Sequence, residues 1–211
     1  MSKVVADISV SLDGFVAGPN DGPDNPLGDR GERLHEWVVT LASWREMHGL
    51  DGGATGPDSD LVEEVVQRAG AYVMGRRMFD CGEGPWGEKP PFRAPVFVVT
   101  REEREPLVKQ GGTTFTFVTG GVGEAVERAR RAAGDKDVAV AGGGQLIRGV
   151  LAAGLLDELQ LHLVPVLLGG GVRLFEPAAD AERVTETVEF ETTRVIDSPS
   201  VTHLRLRPVR A

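Results

Sequence analysis

The sequence predicts an α/β fold: a mostly parallel central sheet with flanking helices and antiparallel strands at its C-terminal end. Strand-like runs alternate with helix-period segments through the middle of the chain, the pattern of a parallel sheet covered on both faces. The last patterns read strand, strand, strand with no helix between them, which adds antiparallel strands at one edge. The chain has 211 residues and 41% apolar content, enough for a sizeable core. No linker or internal repeat divides it, so residues 1–211 are read as a single domain.

The elements follow in order. Residues 3–10 are rich in valine and isoleucine and read as a buried first strand. "SLDGFVAG" gives an Asp-Gly turn and a short apolar run, a hairpin signal. "PNDGPDNPLGDRG" (19–31) is a polar loop. Within 31–47, Leu34, Trp37, Val38, Leu41 and Trp44 fall on one helical face, so one helix is expected there. "DSDLVEEVVQRAG" starts a second helix, with Asp58 as N-cap and Gly70 beyond its end. "AYVMG" (71–75) is a short buried strand, followed by a helical turn and a long loop to residue 94. Strands are expected at 95–100 and 113–119, and a helix over 121–134 whose acidic start and basic end suit its dipole. "DVAVA" (137–141) is a strand and "GQLIRGVLAAG" (144–154) a helix. A long strand, interrupted by Pro165, carries Leu159, Leu161 and Leu163 in alternation with Glu158, Gln160 and His162. Two more strands, roughly 184–196 and 200–208, flank the turn "DSPS".

Composition excludes several function classes. The net charge of −9 repels phosphate backbones at long range, so no nucleic-acid partner is expected. A single cysteine, Cys81, allows no intramolecular disulfide and no cysteine-rich metal site. The four histidines lack metal-ligand spacing, so no metal is expected. No signal peptide and no run of about 18 apolar residues is seen, so a cytoplasmic protein without a membrane span is expected.

Ligands of open α/β sheets bind at the carboxyl ends of the strands, and four loops there stand out. Gly142, Gly143 and Gly144 leave a strand and open a helix, a place where free N–H groups and a positive dipole end suit phosphate. The simpler alternative is a tight turn. The motif is not GxGxxG, because Ile147 takes the last glycine's place, and it has no Walker lysine. Gly75, Arg76 and Arg77 follow another strand end; two arginines there can hold a phosphate or be solvated surface charges. Thr100 and Arg101 end a third strand, and Gly169 to Gly171 follow a fourth, where a bulge or strand corner is the plainer reading. "GGVGEAV" is a rival phosphate loop. Asp13 reads most simply as a turn residue, with substrate contact as the alternative.

In sum, "SLDGFVAGPND", "YVMGRRMF", "PVFVVTR", "VAGGGQLIRGVLAAGLLDEL" and "LVPVLLGGGVRLF" occur in this order, and together they resemble the dihydrofolate reductase-like superfamily. They look most like its branch that includes the reductase domain of the riboflavin-pathway deaminase-reductases. The resemblance implies a dihydrofolate reductase-like three-layer fold, NADPH as cofactor, a small-molecule substrate and a homodimer. It implies that Gly75, Arg76 and Arg77 sit near the adenosine-side phosphates, and that Met78 replaces a common hydroxyl residue there. It puts Thr100 and Arg101 at the adenosine-side strand end, and Gly142, Gly143, Gly144, Gln145 and Leu146 at the diphosphate. Val16 and Ala17 would flank the nicotinamide, with Asn20 and Asp21 on the loop beside it. The resemblance puts a substrate-holding acid on the first helix, 31–47, where Glu32, His35, Glu36 and Trp37 lie near the start and none is assigned to that role; Trp37 could stack on a heterocycle or belong to the core. The loop 80–93, with Trp86 and Phe92, is a candidate cover for a pocket. Catalytic residues stay unassigned, and proton delivery from water is the default. The expected activity is an NADPH-dependent reduction of a small heterocyclic or ribosylamine-like substrate. A nucleotide-binding protein without turnover is the alternative.

Overall fold

The computed structural model describes residues 2–175 and 187–209. Strand β1 (Val4–Ser11) lies near the middle of the sheet, and β2 (Phe15–Ala17) follows its turn. Helices α1 (Glu36–Val39), α2 (Ala42–Met47) and α3 (Pro57–Arg68) precede β3 (Ala69–Gly75), α4 (Arg76–Trp86), β4 (Pro95–Val99) and β5 (Leu107–Val108). Then come β6 (Thr114–Val118), α5 (Gly121–Ala133), β7 (Asp137–Val140), α6 (Gly144–Ala152), β8 (Glu158–Val164), β9 (Val172–Arg173), β10 (Phe190–Ser198) and β11 (Val201–Pro208).

The nine-stranded sheet has the order β10-β11-β8-β1-β7-β3-β4-β6-β5. The six strands from β8 to β6 are parallel; β11 and β10 add antiparallel at one edge and β5 at the other. The antiparallel C-terminal edge is as expected, while β5 adds a short strand the sequence did not mark. The expected start of the 184–196 strand lies partly outside the described residues.

One face of the sheet packs Val4, Ala6, Val10, Ala71, Val73, Val138 and Val140 against Ala125, Val126 and Ala129 of α5 and Ile147 and Val150 of α6. Each fully buried valine or larger aliphatic contributes roughly 1.5–3 kcal/mol. On the other face, α4 seats Phe79 against Met74, Phe115 and Phe117, while Leu34, Trp37 and Leu41 cover Phe15, Val164 and Val201.

Four expectations are corrected. The hairpin does not form, because β2 pairs with β9 in a separate two-stranded sheet. Segment 31–47 is not one helix: a 3₁₀ turn over Gly31–Leu34 precedes α1, and Leu41 turns extended to bridge Ala54. Its apolar stripe is buried nonetheless at Leu34, Trp37 and Leu41. Asp58 is inside α3 rather than its cap; Gly56 caps the helix and Pro57 opens it, a position that needs no N–H. The stretch after Gly75 is an eleven-residue helix rather than a single helical turn. Its Gly82, Gly84 and Pro85 argue against a helix by propensity. Packing of Phe79 against two phenylalanine edges, each at 5.1 Å between centroids, decides otherwise. Trp86 stacks on Phe115 and Phe92 meets Tyr72 edge-on, so both aromatic rings of the 80–93 segment pack into this cluster.

Candidate functional site

Three helices begin at the carboxyl edge of the parallel strands, and each begins from a glycine with no side-chain cap: α4 from Gly75, α5 from Gly120 and α6 from Gly143. The first amides of such helices have no partner within the helix and favour an anion. At α5 the Glu124 carboxylate folds back over Gly120, where an added Cβ would come within 1.8 Å of its Oε2. That acid disfavours phosphate at the rival loop and leaves α4 and α6.

The two remaining starts are neighbours. The Gly75 N–H donates to the Gly142 carbonyl at 3.4 Å, so the strand ends of β3 and β7 meet there. The three glycines have three different reasons. Gly142 has φ +110°, a backbone that side chains rarely adopt, and a cis peptide joins it to Gly143. A Cβ on Gly144 would stand 2.7 Å from the Arg173 carbonyl, so glycine lets β9 pass over the first turn of α6. A Cβ on Gly143 would meet nothing within 4 Å; this glycine faces open space above the helix start. Gly144→Ala is therefore expected to destabilise by roughly 1–3 kcal/mol. Gly143→Ala should stay within about 0.5 kcal/mol of the parent. Urea unfolding midpoints check the contrast.

The other predicted positions fall around this turn. Gln145 is exposed and Leu146 buried on α6. Arg76 donates to Asp80 at 2.7 Å and to Glu102 at 3.4 Å. Arg77 grips Asp21 of the 18–31 loop through Nε at 2.5 Å and Nη2 at 2.7 Å. Arg101 is exposed and has no hydrogen bond or ion pair among the described residues, while the buried Thr100 accepts from the Glu102 amide at 3.1 Å. Val16 is buried and Ala17 half-buried in β2. Asn20 is exposed and its side-chain amide donates to Asp29 at 2.7 Å across the loop. The loop is fastened at its base, where a Cβ on Gly18 would lie 2.0 Å from the Asp29 carbonyl and one on Gly171 2.1 Å from that of Ala17. Gly171 thus serves close backbone passage, a more specific duty than the expected bulge.

The two residues suggested for substrate are engaged in structure. Asp13 accepts from Ser11 Oγ at 2.5 Å and from the amides of Leu168 and Gly169 at 3.2 and 2.7 Å. These bonds, Ser11 first, hold its carboxyl down at about 2. It fastens the segment after β8 to the turn after β1. Trp37 is 7% exposed, donates to Ser9 Oγ at 3.2 Å and lies 4.8 Å from the His162 ring and 4.9 Å from that of His203.

Sequence reasoning missed the polar set beneath Trp37. Glu158, Gln160 and His162 were read as one side of an alternating strand; all three are buried, because α3 and the segments before it cover that face too. Asp7, His162, His203 and Asp58 join there into one row. The one available signal was the polar alternation in "ELQLHLV" on a strand with neighbours on both sides. Among the described residues, no three side chains form a metal-ligating cluster and no helix is long and apolar enough to cross a membrane.

Fold and site together define a three-layer α/β domain of the dihydrofolate reductase type. The chain belongs to the RibD C-terminal domain family, whose model matches residues 2–202. A Shewanella sp. PV-4 protein provisionally assigned to riboflavin biosynthesis is similar, with a TM-score of 0.68, 24% identity and 100% of both chains covered. The Thermotoga maritima diaminohydroxyphosphoribosylaminopyrimidine deaminase/5-amino-6-(5-phosphoribosylamino)uracil reductase matches with a TM-score of 0.59 and 16% identity, over 99% of this chain and 57% of its own. Dihydrofolate reductase from Enterococcus faecalis, complexed with NADP(H) and RAB-propyl, matches with a TM-score of 0.52 and 12% identity, over 98% and 96% of the two chains. At such identities the likeness is one of fold.

Proposed function

We propose that the protein is an NADPH-dependent reductase acting on a C=N or C=O carbon of a small heterocyclic or ribosylamine-like substrate. The observation that carries the reading is Gly143, half-buried with open space where a Cβ would stand, at an uncapped helix start beside a second uncapped start followed by two arginines. NADPH, when bound, supplies the hydride. Amides at the start of α6 would hold its diphosphate, and Arg76, Arg77 and Arg101 would meet its adenosine-side phosphates. Val16 and Ala17 would wall the nicotinamide and keep water from it. Membership of a reductase-domain family and the NADP(H) complex of the Enterococcus faecalis neighbour support this reading. A homodimer in the cytoplasm belongs to the same reading.

A second reading, nucleotide binding without turnover, draws on Met78, which stands where a hydroxyl residue is common, and on segment 31–47, where no residue is assigned as the substrate-holding acid. Titrating the protein with NADPH and NADH by cofactor fluorescence separates the cases. NADPH is expected to bind below about 1 mM, within the usual range of enzyme–ligand affinities. No binding of either cofactor would sink the reductase. Binding without oxidation across pterins, flavin precursors and aldehydes would favour the second reading.

A further inference from the structure

Four side chains distant in sequence form one hydrogen-bonded row across the sheet. Asp7 Oδ1 meets His162 Nε2 at 3.1 Å, His162 Nδ1 meets His203 Nδ1 at 2.6 Å, and His203 Nε2 meets Asp58 Oδ1 at 3.2 Å. Ser198 Oγ donates to the same Asp58 oxygen. The row runs from β1 through β8 and β11 to the first turn of α3. Both imidazoles are buried, whereas the Asp7 side chain is 31% exposed and that of Asp58 21%. Only the two carboxylate ends reach solvent.

Counting protons shows what the row can do. Three gaps need three protons, and two neutral imidazoles carry two. Two bare ring nitrogens at 2.6 Å repel, so the middle gap keeps its proton. A complete row therefore has a place for one extra proton between two carboxylates; without it, a carboxylate oxygen faces a nitrogen lone pair at one end. Burial works against the cation and lowers the His203 pKa, His162 adds to this, and Asp58 and Asp7 oppose it. The extra proton is loosely held.

Strand register places the open end. Ala6 is opposite Val140, so Asp7 stands level with Ala141, the residue before Gly142. Asp7 Oδ2 has no hydrogen bond among the described residues. Val5, Ala139 and Tyr72 form the next row on the same face, and burial with the Asp7 charge pushes the Tyr72 phenol up to about 12, so it stays a donor. Other groups facing the row are Gln160 from β8, Arg205 from β11, Glu64 and Arg68 from α3, and His35 from the junction of the 3₁₀ turn and α1. Arg205 and Arg68 are both paired to Glu64 and Glu158, and burial lowers the His35 pKa.

We propose that Asp7 is the carboxylate that holds the substrate, and that the His162–His203–Asp58 row behind it supplies the proton the reduction consumes. This rests on the reductase reading. The substrate carbon gains a hydride, which NADPH gives up in becoming NADP⁺. The C=N π pair moves to nitrogen, and that nitrogen takes one proton through Asp7. The row is then one proton short until water at the Asp58 end restores it. A carboxylate oxygen without a hydrogen bond among the described residues selects a planar ring with adjacent N–H donors, amidine-like in its edge, and rejects anions.

The test uses the whole protein, benzamidine and benzoate as probes, and NMR of the His162 and His203 rings over about pH 5 to 8. Benzamidine is expected to shift the His162 signals and to bind at least ~10-fold tighter than benzoate. The two rings should take up one shared proton step. Asp7→Asn should remove the benzamidine response. Equal binding of the two probes to the parent protein, or two rings titrating independently, would overturn the proposal without any variant. NADPH binding is read separately. Intact NADPH binding with no benzamidine response rejects Asp7 and spares the reductase; the reverse pattern rejects the reductase and keeps Asp7 as a ligand carboxylate.

Discussion

Replacing Arg76 and Arg77 together by alanine is expected to weaken NADPH far more than NADH, with little change in stability. Each charge-assisted bond to the 2′-phosphate is worth about 1.5–3 kcal/mol, on the order of 10- to 150-fold in affinity. The stability side follows from exposure. The Arg77 side chain is 69% exposed although it grips Asp21, and Arg76 and Asp80 are each about one-third exposed. Exposed pairs such as Arg76–Asp80 contribute roughly 0–1 kcal/mol. The Asp21 side chain is only 13% exposed, but the guanidinium that covers it is at the surface, so water replaces that guanidinium when a phosphate or a substitution removes it. The existing pairs therefore do not argue against a ligand; they hold two arginines beside the start of α4. Fluorescence titration of both cofactors against parent and double variant reads the ratio. Equal weakening of NADPH and NADH would move the 2′-phosphate elsewhere, with Arg101, unpartnered among the described residues, the next residue to replace.

What the sequence made legible divides by the range of the forces involved. Strands β1, β4, β6 and β7 are short runs of β-branched and aromatic residues whose own preferences agree with their burial. The glycine turn into α6 could be read because a strand, three glycines and a helix are adjacent in the chain. Partner choice could not. Phe15–Ala17 has no local feature that selects Val172–Arg173 over β1, and the pairing closes over more than 150 residues. Helix α4 stayed hidden because its glycines and proline outweigh its helix formers until Phe79 finds Phe115 and Phe117. The row from Asp7 to Asp58 was least legible. Each member fills an ordinary polar position in its own segment, and only the sheet order β11-β8-β1, with α3 packed over it, brings them together.

Trp37→Ala is expected to cost about 3–5 kcal/mol of stability, the range for deleting a large buried aromatic. The indole fills the space over both imidazoles and donates to Ser9, so its loss opens a void with polar walls that water can enter. Trp37→Phe keeps most of the packing and loses the N–H bond, for roughly 1 kcal/mol. The pH dependence supplies a second readout. His35 and His203 both have folded-state pKa values below the ordinary 6.5, chiefly from burial. Below that value the unfolded chain binds more protons than the folded one, so stability is full above about 6.5 and erodes as pH falls. Admitting water beside His203 relaxes the desolvation that depresses it. Trp37→Ala should therefore lose less stability between about pH 8 and pH 5.5 than the parent does, even while less stable at each. Urea unfolding at the two pH values measures both effects. A Trp37→Ala protein with parental stability at both, but weakened ligand binding, would instead make the indole a substrate contact and remove it from the core.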